Sequence, residues 1–163
     1  MDYTLAQFLA HAIALEREAA ERYLELADMM EAHRNDEVAS LFRDMVRYSR
    51  LHHDSIVERA EGISLPQMGP WDYAWRHPPE AGGDEAFDPS LNAYDALRYA
   101  RENELRAMQY YSDAGITSSD EEVKRLAAEF AAEETEHVQA LDDWLARTKR
   151  PSAPWAADPH RGG

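Results

Sequence analysis

The sequence predicts an all-α fold: an antiparallel four-helix bundle made of two helical hairpins joined by a long crossover. Three observations carry this. Proline and glycine are absent from residues 1–60, and Gly115 is the sole breaker in residues 91–150, whereas 61–90 holds five prolines and four glycines; such residues are costly inside helices. Apolar residues in both breaker-poor blocks recur at steps of three and four, the helical period. The two blocks also resemble each other, so one hairpin is used twice.

The first stripe runs Leu5, Phe8, Ala12, Leu15, Ala19, Tyr23, Leu26 and Met30, with Thr4 as N-cap. The polar segment His33-Arg34-Asn35-Asp36 marks a turn, and a second stripe follows through Val38, Leu41, Phe42, Met45, Val46, Ser49, His52 and Ile56. Leu97, Ala100, Ala107 and Tyr111 define a third helix. The segment from Gly115 to Asp120 reads as a turn with Gly115 as C-cap, followed by cap formers. The fourth stripe is Val123, Leu126, Ala127, Phe130, Ala131, Glu134, His137, Leu141, Trp144 and Leu145. The bundle is expected over 1–150 with 61–90 as crossover loop, and 151–163 as a weakly ordered tail carrying Trp155 and His160. In the crossover, Trp71, Tyr73, Trp75 and Phe87 are expected to pack as a lid.

The chain has 163 residues, and 17 Lys and Arg face 32 Asp and Glu for a net charge of −15. That balance disfavours a nucleic-acid binder, which normally shows a basic face, and an anionic membrane surface, while it fits attraction of cations. There is no cysteine, so disulfides, thiolate metal sites and thiol catalysis are ruled out, and any metal site must be built from His, Asp or Glu. No run reaches the roughly 18 apolar residues of a membrane span, and the start carries no targeting signal. A soluble cytoplasmic protein is expected.

The informative residues interrupt the apolar stripes. Glu16 and Glu104 fall on the inward faces of helices one and three, His52 on that of helix two, and Glu134 and His137 on that of helix four. Ionised carboxylates are rarely buried unless paired or bound to metal. In an antiparallel hairpin, residues share a level when their midpoint falls in the turn. The midpoint of Glu16 and His52 is position 34, and that of Glu104 and Glu134 is position 119, each inside its turn. Helices of about 25 residues run roughly 37 Å, which puts these groups near mid-bundle. Glu134-Thr-Glu-His137 is an E-x-x-H whose i, i+3 spacing sets carboxylate and imidazole on one face. Glu16, Ala19 and Tyr23 repeat as Glu104, Ala107 and Tyr111 at an offset of 88. Val38, Leu41, Ser49 and His52 fall on Val123, Leu126, Glu134 and His137 at an offset of 85. A Glu from each of two helices and Glu-x-x-His from the others is the pattern of ferritin-like carboxylate metal sites.

On these motifs, over residues 4–147 without most of the crossover, the chain resembles the ferritin-like superfamily and, within it, the rubrerythrin-type di-iron carboxylate bundle. The resemblance implies Glu16 and Glu104 as terminal ligands, His52 and His137 as one ligand to each metal, Glu134 as the bridge, and Tyr23 and Tyr111 as hydrogen-bonding partners of the ligand carboxylates. It departs at Ser49, where the family pattern has a second bridging Glu. The implied cofactor is iron, two ions, or one if Ser49 leaves the site incomplete, with manganese or zinc as the other metals such donors take. The implied function is ferroxidase, peroxidase or other chemistry on oxygen or peroxide, with Ala12, Ala19, Ala100 and Ala131 leaving room beside the metals. The alternatives are a redox-inactive metal-binding bundle and a metal-free interaction module; a storage cage fits the paired-His pattern less well. A homodimer is implied by family analogy, and an external electron donor by the absence of a cysteine-built iron site. His53, four residues beyond Ser49, is weighed as a replacement donor, with a boundary position favoured. His11, His33, His77 and His160 are expected on the surface or in loops, and Glu18, Glu21, Glu102, Glu133 and Glu136 on solvated faces.

Overall fold

The structure, a computed structural model, describes residues 3–67 and 91–150. The described residues form four helices: α1 (Leu5–Ala32), α2 (Asp36–Arg59), α3 (Ala93–Thr117) and α4 (Glu121–Arg147). α1 pairs along its length with α2, and α3 with α4, while α1 also meets α3 and α4. This is the ferritin-like antiparallel four-helix bundle, two hairpins packed face to face. The aromatic residues Trp71, Tyr73, Trp75 and Phe87, the tail with Trp155, and His77 and His160 lie outside the described residues.

Local chemistry sets each helix start. Thr4 caps α1 through the Gln7 amide, and the Gln7 side chain returns to the Thr4 amide, closing a capping box; such a cap is worth about 1 kcal/mol. Asn35 caps α2, Asn92 caps α3 and Asp120 caps α4. The α1–α2 turn takes Arg34 into the left-handed region at φ 60°, although nothing but the polar run around it marks the turn in the sequence. Past α2, Gly62 adopts φ +79°, a conformation glycine accepts without a Cβ penalty.

Gly115 does not cap α3. The helix continues to Thr117 and Ser118 is its C-cap. Gly115 instead lies where α3 and α4 approach closely, since a Cβ there would come within 3.1 Å of Ala127 Cβ. The buried Ser118 hydroxyl donates to the Tyr3 carbonyl at 2.9 Å, tying the start of the chain to the α3–α4 turn. A glycine near a helix end reads the same in sequence whether it serves a cap or a close approach.

The core has two apolar halves. One contains Phe8, Leu9, Ile56, Tyr111, Leu126 and Phe130, with Phe8 and Phe130 stacked at 5.8 Å between ring centres. The other contains Leu26, Met30, Phe42, Val46, Leu97 and Leu141. Each fully buried Leu, Ile, Met or Phe stabilises the fold by roughly 1.5–3 kcal/mol, so the halves clamp whatever lies between them. What lies between them is polar.

Candidate metal centre

Glu16, Ser49, His52, Glu104 and Glu134 are all buried, with 9% exposure or less. All four helices contribute: α1 delivers Glu16, α2 Ser49 and His52, α3 Glu104, and α4 Glu134. His137, one turn beyond Glu134, is partly buried. All five groups singled out from the sequence thus meet at one level of the bundle.

They form two triads with one member in common. Ligand atoms of Glu16, His52 and Glu134 lie within 4.8 Å of one another, and so do those of Glu104, Glu134 and His137. His52 Nδ1 is 2.8 Å from Glu16 Oε1. His137 Nδ1 is 3.2 Å from Glu134 Oε2 and 3.5 Å from Glu104 Oε2. Both imidazoles therefore turn the same nitrogen inward.

The tyrosines cross between hairpins. The Tyr23 hydroxyl on α1 donates to Glu104 Oε1 on α3, and the Tyr111 hydroxyl on α3 donates to Glu16 Oε1 on α1 at 3.5 Å. Burial, then the neighbouring carboxylates, pushes both phenols well above their ordinary value, so they remain hydrogen-bond donors.

Burial and the adjacent Glu104 and Glu16 carboxylates push Glu134 far above the usual carboxylate range. Burial would raise Glu104 as well, but hydrogen bonds from Glu134, His137 and Tyr23 outweigh it and hold Glu104 below its ordinary value. Burial would lower His52 and His137, yet the facing carboxylates raise both above 6.5; Glu16 dominates at His52 and Glu104 at His137. Three carboxylates in one dry layer require positive charge or protons between them.

A cavity of about 30 Å³ adjoins the layer, bordered by Ser49, Ala19, Ala107, Glu104, Glu134 and His137. It has room for a water or a diatomic molecule. Of the alanines expected to leave space, Ala19 borders it; Ala12 and Ala100 are packed in the core. Ala107, the repeat partner of Ala19, completes the wall.

Two further expectations change. His11 is buried rather than superficial, with its ring 5.4 Å from Tyr3 and 5.5 Å from Tyr110. Glu133 does not point away into solvent: its Oε2 faces His52 Nε2 at 3.1 Å. His53 takes the boundary position, paired with Asp54 at 3.1 Å. Tyr48, which no sequence feature marks, packs its ring 4.2 Å from that of His137 in an edge contact. An aromatic residue flanking a helical stripe looks like core, and one glutamate of a Glu-Glu pair looks like surface, until the neighbouring helix is in place.

The rubrerythrin family model matches residues 7–70, the hairpin that carries Glu16, Ser49 and His52. The chain is also similar to an uncharacterized conserved protein from Magnetospirillum magnetotacticum MS-1, known from a crystal structure at 2.00 Å. The two share 60% identity over 93% of this chain and 99% of that one, with a TM-score of 0.83. The chain belongs to the rubrerythrin family. No curated protein matches it. As a rubrerythrin-type bundle it keeps a possible carboxylate–imidazole metal site, with Ser49 standing where the family pattern has a bridging carboxylate.

Proposed function

We propose that the protein binds two divalent metal ions in this layer, iron in the first place, and works on oxygen or peroxide as a ferroxidase or peroxidase. The observation that carries this reading is that Glu134 belongs to both triads. A carboxylate shared between two sets of oxygen and nitrogen donors suits a bridged pair of cations. Manganese and zinc fit the same donors, and the absence of thiolate selects against softer ions.

In this reading Glu16 and His52 hold one ion, Glu104 and His137 the other, and Glu134 reaches both. When bound, iron supplies reversible one-electron chemistry and open positions for a small oxidant. The chain's own groups do the rest. Tyr23 and Tyr111 orient the outer carboxylates through hydrogen bonds from the opposite hairpin. The two apolar halves exclude bulk water. Ser49, Ala19 and Ala107 leave the small space in which a reactant can sit. Electrons come from a separate partner, the chain is cytoplasmic, and it pairs as a homodimer as in the family; no helix among the described residues is long and apolar enough to cross a membrane.

Anaerobic reconstitution with ferrous iron followed by oxygen tests the proposal. The expected result is two irons per chain and oxygen uptake, with Glu134→Ala abolishing binding of both ions and Glu16→Ala of one. One metal per chain and no uptake would overturn the redox reading.

The serine at position 49 favours a second reading, a metal that staples the core without turnover. There, metal raises the melting temperature strongly while oxygen uptake stays at background. A metal-free interaction module is the remaining alternative, and metal analysis of the purified protein separates it from both.

A further inference from the structure

The repeat places Tyr48-Ser49 of α2 opposite Glu133-Glu134 of α4, at the offset of 85. One helix therefore offers two adjacent carboxylates where its counterpart offers none. Glu134 enters the shared layer. Glu133 lies beside it, with its side chain 31% exposed and its Oε2 atom buried against His52 Nε2, 3.1 Å away. The two atoms are close enough to pair, although their alignment falls short of a hydrogen bond, and neither has another hydrogen-bond partner.

We infer that Glu133 is the positioning carboxylate of His52, and that it returns from α4 the negative charge which Ser49 leaves out of α2. This deepens the proposed metal-binding role and rests on it. Two divalent cations carry four positive charges, and Glu16, Glu104 and Glu134 carry three negative ones; Glu133 makes the fourth. It acts through His52 rather than by touching the metal. An imidazole whose Nε2–H faces a carboxylate presents the electron pair of Nδ1 on its other side, and such an outer carboxylate also strengthens the ring as a donor. In this structure the Nδ1 side of His52 is the side that faces Glu16.

The surroundings hold the pair in place. Phe130 packs edge-on against the His52 ring at 4.7 Å, which limits rotation of the imidazole. On the α2 side stands Tyr48, whose phenol is pushed above its ordinary value by burial and then by the Glu133 charge. Of the residues that stand in place of a symmetric Glu-Glu pair, Tyr48 and Ser49, the first thus neighbours the compensating charge. His137 is treated differently: its ring packs at right angles to that of Tyr48, 4.2 Å between ring centres.

The test uses the full chain and manganese(II), with binding followed by the electron paramagnetic resonance of the free ion. Glu133→Gln keeps the shape and an acceptor but removes the charge; its affinity is expected to fall about 10–100-fold. Glu136→Gln, an exposed acid on the same helix, is expected to bind as the wild type does. A second measurement needs no metal: nitrogen-15 spectra of labelled histidine should show a His52 Nε2 proton sheltered from exchange in the wild type and lost in Glu133→Ala. Wild-type binding matched by Glu133→Gln, or no sheltered proton in the wild type, overturns this inference alone. A wild type that takes up no divalent ion overturns the metal-binding reading and this inference with it.

Discussion

Tyr23 on α1 hydrogen-bonds to Glu104 on α3, and the same bond runs the other way as Tyr111 on α3 to Glu16 on α1. The four residues are two copies of one Glu-to-Tyr spacing, exchanged between hairpins. The bonds cross the seam where α1 and α3 otherwise meet over few residues. They therefore tie the hairpins together at the level of the site.

Removing one of these hydroxyls leaves a buried carboxylate short of a donor. Tyr23→Phe is expected to destabilise the protein by about 1–3 kcal/mol, measured by urea unfolding with metal removed. Tyr111→Phe should cost less, because its bond is longer at 3.5 Å. Equal and negligible effects would mean that the carboxylates find other donors.

Position 49 is buried on α2 and borders the cavity shared with Glu104, Glu134 and His137. A glutamate there would project into that space and add a fourth carboxylate to the layer. Ser49→Glu is expected to raise divalent-ion stoichiometry or affinity, read by calorimetric titration. An unchanged value would mean that position 49 does not reach the ions.

The pH dependence follows from the raised groups. His52, His137 and Glu134 hold protons more tightly in the fold than in the unfolded chain. Their stabilising contribution is present below the unfolded pKa values and is lost as pH rises through the folded ones. The melting temperature of metal-depleted protein is thus expected to fall as pH rises above about 6.5, the ordinary histidine value. Metal-loaded protein should hold its stability there, because cations replace the displaced protons. A metal-depleted melting temperature that rises between pH 7 and 9, taken as roughly the range above the unfolded imidazole pKa, would contradict the assignment.

Gly115 sits within α3 against Ala127. Glycine-to-alanine in a helix interior ordinarily gains up to about 1 kcal/mol. Gly115→Ala should fail to deliver that gain, since the added methyl meets Ala127 Cβ at 3.1 Å and the helices must separate slightly. A clear rise in melting temperature would show that the α3–α4 seam yields freely.

The four helices, their pairing into hairpins, and the level at which Glu16, His52, Glu104, Glu134 and His137 meet were all legible in the linear chain. They depend on periodicity, on breakers and on equal arm lengths about a turn, which are local quantities or simple counts. Gly115, His11, Glu133 and Tyr48 were not legible. Their roles depend on what the fold puts opposite them: a methyl at Ala127, the rings of Tyr3 and Tyr110, the far nitrogen of His52, the ring of His137. Helical phase says which way a side chain leaves its own axis, but a residue at the border of a stripe is turned inward or outward by the shape and charge of the helix packed against it. Only the assembled bundle supplies that partner.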